Sequence, residues 1–264
     1  MSHLYKINLN DLTTKINNIL EPFSPQKTNI IKNNKSRTIY VLKGANKKVN
    51  KSLFNLLKKE KLPQYIISQK NKDILKDAIK YHKNNSFLFK IDIKNFFPSI
   101  DKDRIFKYFS LVLKNKEEVA NILTSACCYD NHLPQGYNTS PILSMLINKK
   151  MFNEINNFCI NHNYLFTVYV DDIAISGSNA IRKKHQNIIK NIIYKYGYKI
   201  PNEKIRYYNN YKNKELLGVI IKKDGQVDIP NRKHHNYYNE KSLLNKNKIQ
   251  GIKNYKKRVE QLNS

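Results

Sequence analysis

Three aspartates have a spacing that metal-assisted chemistry can use. Asp171 and Asp172 are adjacent in Tyr169-Val170-Asp171-Asp172, with Phe166, Val168 and Val170 alternating before them and Ile173 and Ile175 after. That alternation predicts two short strands, Leu165–Val170 and Ile173–Ser176, joined tightly at the acid pair. Unpaired charges about 4 Å apart repel by roughly 4 kcal/mol at an effective dielectric near 20. A chain with 20 acids against 48 bases has little reason to crowd two of them unless a cation sits between. Hard divalent ions, Mg²⁺ in particular, use one or two carboxylates together with substrate phosphates. An ordinary Asp-rich turn fits the same segment equally well.

The third acid, Asp92, ends the apolar run Phe87–Ile93. A strand-end Asp beside a hairpin-tip pair would hold two metals as a clamp. One lowers the pKa of an attacking 3′-hydroxyl and the other stabilises a leaving pyrophosphate. Alone, Asp92 reads as a helix N-cap or a solvated strand end. In Leu133-Pro134-Gln135-Gly136 the glycine permits close backbone approach to a ligand, and the Gln amide offers a donor and acceptors. A plain helix-entry turn is the other reading of that segment.

The elements that must position these groups follow from the same pattern. A short helix is expected around Leu9–Leu20, then a turn at Pro22 and Pro25. The run 35–42 has strand composition from Arg37 onward. Helices are expected over 50–60, 71–83, 102–127, from the Pro/Gly turn 133–141 to about 161, and over 180–196. A strand pair is expected at 205–208 and 216–221, with Asp224-Gly225 turning into a return strand Gln226–Ile229. The last stretch, 231–264, reads as mostly helical. No fixed-period repeat is present.

Charge narrows the partners. The 264 residues carry a net charge of +28, and Lys supplies 42 of the 48 basic residues. That describes many point contacts to phosphate rather than a few bidentate Arg readers. Residues 27–61 hold eleven bases and one acid, and 231–264 hold nine bases and two acids. A polyanion, nucleic acid first and anionic membrane second, is the expected partner. No apolar run approaches the roughly 18 residues a membrane span needs, and the N-terminus lacks the order of a secretory signal. Cys127, Cys128 and Cys159 are odd in number and lack CxxC spacing, so neither a disulfide framework nor a zinc site is expected. His234-His235 is too isolated for a metal site. A reducing cytoplasm fits best.

The motifs together carry a resemblance. KIDIKNFFPSI, LPQGYNTSPILS, VYVDDIAIS and ELLGVI, in this order over about residues 88–221, resemble the palm motifs of reverse transcriptases. They are most similar to the bacterial retron and group II intron branch. KSRTI (35–39) and KIQGIKNY (248–255) are similar to that branch's fingers and thumb. The resemblance implies an α+β right-hand polymerase, its palm an antiparallel sheet with helices on one face and its thumb short, basic and helical. The expected division is an N-terminal helix and turn over 1–26, fingers 27–87, palm 88–222 with part of the fingers inserted, and thumb 223–264. A chain of this length has no room for a maturase, DNA-binding or endonuclease domain, so an intact mobile-intron protein is not expected.

Carried over residue by residue, the resemblance makes Asp92, Asp171 and Asp172 the ligands of two Mg²⁺, with Mn²⁺ a substitute, and gives the Ile93 carbonyl to a metal. Phe97 matches the steric gate that excludes a ribose 2′-hydroxyl and so implies dNTP substrates; Phe96 and Phe97 also read as core aromatics. Gln135 and Gly136 would lie under the incoming nucleotide, and Lys35 and Arg37 would grip its triphosphate. Lys204 matches the lysine that protonates pyrophosphate, against a background of many surface lysines. Leu217-Gly218 would be the primer grip, and 231–264 would track the RNA–DNA duplex, a solvated amphipathic helix being the alternative. The chain has Leu216-Leu217-Gly218 where retron enzymes usually have Val-Thr-Gly, Tyr137-Asn138 in place of Ala-Pro, and only Asp77-Ala78 and His82 echoing Asn-Ala-x-x-His. The implied activity is RNA-directed DNA synthesis in a retron-type or related antiphage defence system. Its implied partners are an RNA template, such as a dedicated noncoding RNA, and an effector protein encoded nearby. Untemplated or protein-primed DNA synthesis, RNA synthesis and a catalytically silent RNA-binding scaffold are the competing readings.

Overall fold

The computed structural model describes residues 25–32, 35–67, 73–233, 235 and 246–263. The helix expected around Leu9–Leu20 and the turn residue Pro22 lie outside them. The described residues divide into two compact units, one of 25–64 and 95–150, the other of 65–67, 73–94 and 151–263.

The first unit opens with an antiparallel hairpin, β1 (Gln26–Lys32) and β2 (Lys35–Val41), in a register that pairs Gln26 with Val41 and Lys32 with Lys35. Helix α1 follows over Gly44–Leu57, starting earlier than the expected 50–60. Its inner face is Asn46, Val49, Asn50, Leu53 and Leu57, spaced at three and four residues as a one-sided helix requires. The single helix expected over 102–127 is broken. Lys102–Lys107 forms a short helix, Tyr108–Val112 a π turn closed by Leu113 N–H on the Tyr108 carbonyl, and Glu117–Cys127 a second helix. The break has a local cause: Lys114 adopts a positive φ of 55°, and Asn115 donates its side-chain amide and its backbone N–H to the Phe109 carbonyl. Glu117 and Glu118 then restart the helix at its positive end. A further helix spans Thr139–Ile147.

In chain order the helices after α1 are α2 (Ile74–His82), α3 (Lys102–Lys107), α4 (Glu117–Cys127), α5 (Thr139–Ile147), α6 (Lys149–Asn161), α7 (Lys183–Lys195) and α8 (Lys246–Glu260).

The second unit is built on a four-stranded antiparallel sheet: β3 (Phe87–Asp92), β4 (Leu165–Tyr169), β5 (Asp172–Gly177) and β6 (Ile205–Tyr208), in spatial order β4-β5-β3-β6. The edge at β4 is covered by residues 65–67, whose Tyr65 carbonyl and Ile67 N–H both bond to Val168. Both faces of the sheet are buried at its centre: Leu88, Phe89 and Ile91 of β3 and Ile173, Ala174 and Ile175 of β5 are all at most 2% exposed. On the Leu88/Ala174 face lies a core that includes Leu75, Ala78 and Ile79 of α2, Leu216, Val219 and Ile221, and Val259 and Leu262. The segment expected as one strand over 216–221 is a hairpin instead. β7 (Lys214–Leu216) and β8 (Val219–Ile221) meet at Leu217-Gly218, both at positive φ, and β9 (Val227–Asp228) returns beside β8. Val259 of α8 is thus core, with Tyr255 packed against it, while Lys246, Lys253, Lys256 and Lys257 are exposed. The three cysteines are buried and free. Among the described residues no helix is long and apolar enough to cross a membrane.

Candidate active site

Sheet register brings the acids together. Asp92 ends β3 directly opposite Asp172, the first residue of β5, and Asp172 also pairs with Tyr169 of β4. Val170 and Asp171 are then the two-residue turn between β4 and β5, and the Asp171 carbonyl accepts the Ile93 N–H at 3.1 Å. That bond fixes the turn against the end of β3. Val170 holds a φ of 56°, a conformation expensive for a β-branched residue. All three carboxylates stand at one end of one sheet.

Two lysines meet them. Lys204, at the end of a single 3₁₀ turn (Asn202–Lys204) leading into β6, donates to Asp92. Lys90 precedes Asp92 by two positions on β3, hence on the same face, and lies 3.3 Å from both oxygens of Asp172. Only Oδ2 receives a hydrogen bond; Oδ1 is buried with no donor. Asp171 has no ion pair among the described residues. Burial, and next the Asp92 carboxylate, push its pKa up to about 6. Burial also raises Asp172, with the Lys90 ammonium opposing it. Lys90 escapes the motif reading, although its place two residues before Asp92 was the available signal.

The donors here are carboxylate oxygens, the ligand type hard divalent ions take. As the side chains stand, no three His, Cys, Asp or Glu among the described residues form a metal-holding group; ammonium groups face Asp92 and Asp172 instead. Oδ1 of Asp172, which accepts no hydrogen bond, and Asp171, which has no ion pair among the described residues, nevertheless fit a divalent cation. Such an ion would relieve both at once.

The remaining expected site residues fall elsewhere. Ile93 is buried beside the acids. Leu217-Gly218 lies in the acid-bearing unit at the β7–β8 turn, where the Gly218 carbonyl accepts the Tyr255 hydroxyl at 2.9 Å. Lys35, Arg37, Phe97, Gln135 and Gly136 belong to the other unit. Lys35 begins β2, and Arg37 is exposed on it. Phe96 is buried while Phe97 is partly exposed, their rings 6.0 Å apart. The Gln135 carbonyl accepts the Tyr40 N–H at 2.7 Å. Gly136, at a φ of 111°, lies so close to β2 that a Cβ would fall 2.5 Å from the Tyr40 carbonyl oxygen. Its close approach is therefore to the chain's own hairpin. Asn50 holds the start of α5 in place, donating to Thr139 Oγ1 and the Ala126 carbonyl and accepting the Asn138 N–H. Nothing in its sequence neighbourhood pointed to that role.

A right-hand polymerase palm is the class that such a sheet end defines, and the comparisons agree. Residues 25–221 match the family described as reverse transcriptase (RNA-dependent DNA polymerase). The Retron Ec86 reverse transcriptase of Escherichia coli is 29% identical over 167 residues, covering 63% of this chain and 51% of that protein. The Retron Se72 reverse transcriptase of Salmonella heidelberg is 26% identical over 172 residues, 62% and 43% of the two chains. Among solved structures, apo telomerase from Candida tropicalis truncated from its C-terminal domain aligns with a TM-score of 0.57 at 14% identity, covering 80% of this chain and 56% of that one. Telomerase from Candida albicans in complex with a fragment of telomeric RNA gives 0.58 at 11%, covering 80% and 47%. At such identities the structural likeness concerns the fold. This chain belongs to the reverse transcriptase family, and it spans about half the length of the curated relatives it matches.

Proposed function

We propose that the chain is an RNA-directed DNA polymerase of the retron type, with Asp92, Asp171 and Asp172 as its metal-binding acids. The observation that carries the reading is the Asp92–Asp172 pairing at the sheet end, with Asp171 on the adjoining turn. Two Mg²⁺ ions, when bound, would activate the primer hydroxyl and stabilise the leaving pyrophosphate. The three carboxylates bind and orient; the β3–β5 register holds them without reorganisation. Lys90 keeps Asp172 oriented, and Lys204, already at Asp92, supplies the proton that pyrophosphate takes on leaving. Phe97 is the group that discriminates dNTPs from rNTPs, Gln135 and Gly136 line the nucleotide, and Lys35 and Arg37 meet its triphosphate. In this reading the fingers cover 27–87 and the thumb 223–264, with Leu217-Gly218 gripping the primer. The RNA is a dedicated template transcript.

The test is primer extension on a defined RNA template with dNTPs and Mg²⁺. Asp171→Asn with Asp172→Asn is expected to lower synthesis by on the order of 10²-fold or more, since each acid acts on transition-state charge, while RNA binding is kept. Synthesis undiminished in that variant removes the metal assignment. Phe97→Ala is expected to admit rNTPs; unchanged sugar selectivity removes Phe97 from that role.

A further inference from the structure

A basic site lies at the opposite end of β3 from the acids. The strand runs from Phe87 to Asp92, so its two ends stand about 17 Å apart at 3.3 Å per residue. Before Phe87, the loop after α2 brings Lys83 and Ser86; after β6 comes the loop with Asn210 and Lys212; β7 opens with Lys214; and the β8–β9 turn carries Lys223. These line a cavity of about 270 Å³. Four lysines surround it against one acid, Asp224, whose carboxylate is engaged with the Gln226 N–H at 2.9 Å. None of the four lysines is ion-paired with a carboxylate among the described residues.

The site is built, not merely a patch of mobile lysines. Lys214 is only 5% exposed and donates its ammonium to the Asn85 carbonyl. The Asn85 side chain donates to Ser176 Oγ at 2.7 Å, and Ser176 is itself bonded to the buried His82 at 2.7 Å. A buried cation is thus fixed at the cavity by a chain of hydrogen bonds reaching into the core, with no carboxylate among the described residues to neutralise it. Burying a cation without a counter-charge is costly, and an anion in the cavity would offset that cost. Beside it, between Asn210 and Lys212, Tyr211 is 73% exposed, an unusual state for a large aromatic ring. A fixed cation with flanking lysines suits a phosphate, and an adjacent free ring suits a base face.

We propose that this cavity binds the phosphodiester backbone of a single-stranded RNA segment, with Tyr211 stacking on a neighbouring base. The proposal rests on the RNA-directed reading for its partner, but not on the acids for its chemistry. The site would hold RNA remote from the reacting end, as a dedicated transcript requires if it stays attached while one part of it is copied.

The test uses the full chain and a short fluorescent single-stranded RNA, with an RNA duplex of equal length beside it. Lys83→Gln, Lys212→Gln and Lys223→Gln together are expected to weaken single-strand binding at least ten-fold. They should also flatten the log–log salt slope by about 2, at roughly 0.7 per lost contact. A charge-matched control, Lys183→Gln, Lys184→Gln and Lys190→Gln on α7, is expected to lose far less. Tyr211→Ala is expected to weaken the single strand about five-fold or more and leave the duplex unchanged. Equal losses in the two triple variants, or an unmoved salt slope, overturn the site. Displacement by inorganic phosphate beyond a chloride control of equal ionic strength, with Tyr211→Ala silent, makes it a small-anion site and overturns the RNA assignment. Extension of a preannealed primer–template, read in the same preparations, is expected to survive the first triple variant. Its absence in the unmodified chain would count against the polymerase reading alone.

Discussion

Asp171 is the acid that the fold leaves without an ion pair among the described residues. Lys90 meets Asp172 and Lys204 meets Asp92, whereas Asp171 is partly buried on the turn beside both carboxylates. Without a divalent ion, its charge opposes folding at neutral pH. Asp171→Asn is therefore expected to stabilise the metal-free chain by on the order of 1 kcal/mol at pH 7 while lowering synthesis, the trade expected where function holds a site in strain. Urea unfolding with chelator present measures it; a destabilised variant would mean the carboxylate is compensated after all. His82 shows the opposite sign. It is fully buried between Ser176 and Thr167, each 2.7 Å away, and burial, then Lys214 and Lys90, push its pKa down to about 3. The unfolded chain, with an ordinary imidazole near pKa 6.5, then binds a proton that the folded chain refuses. Stability from this group is complete above pH 6.5 and falls as pH drops toward 3, by up to about 1.4 kcal/mol per unit. Between pH 7 and pH 5 the native chain is expected to lose about 2 kcal/mol more than His82→Gln, the slope being integrated over the titrating range. Parallel losses in urea titrations at the two pH values would show that His82 accepts its proton while folded.

Gly136 joins two elements, and its cost of replacement is an element-scale quantity. An added Cβ would meet the Tyr40 carbonyl oxygen at 2.5 Å and Ile39 Cγ2 at 2.6 Å, and the φ of 111° already excludes most side chains. Gly136→Ala is expected to cost about 1–3 kcal/mol by displacing the turn from β2, read as a lower midpoint in thermal or urea unfolding; an unchanged midpoint would mean that β2 yields freely. This contact also marks how far a sequence can be read. β6 over 205–208, the acid-bearing turn and the Asp224-Gly225 return were legible because alternation and turn chemistry are local properties. The split of 102–127 was not, because Lys114 and Asn115 interrupt a helix-period pattern without a Pro or Gly to announce it. Leu217 likewise concealed a turn, since a leucine at a φ of 46° breaks the usual preference for glycine or asparagine. The acids were legible as motifs, but Lys90 acquires its place only when β3 pairs with β5. Asn50, 76 residues before the Ala126 carbonyl it holds, and Lys214, 129 residues after the Asn85 carbonyl it meets, depend on long-range contacts no local window contains.

At the scale of the molecule, the net charge of +28 acts on folding and on binding with opposite sign. Like charges in a compact chain repel, so the folded state is the one that excess positive charge opposes. Added salt screens that repulsion, with a Debye length near 10 Å at 0.1 M and about 3 Å at 1 M. The same screening removes the entropic gain of counterions released from RNA. A surface making 6–10 phosphate contacts is expected to lose roughly 10³–10⁵ in affinity between 50 and 200 mM salt. Over that interval the free chain should become more resistant to heat while its hold on RNA weakens. Lys246, Lys253, Lys256 and Lys257 are exposed on α8, whose Val259 is anchored in the core of the acid-bearing unit, and they place part of this charge on a fixed scaffold. Melting curves of the free chain and anisotropy titrations with RNA, taken across one salt series, measure the two effects. Opposite slopes would assign the excess lysines to nucleic acid; a fall in both, or a melting temperature that ignores salt, would mean that repulsion among the excess lysines does not weigh on the folded state.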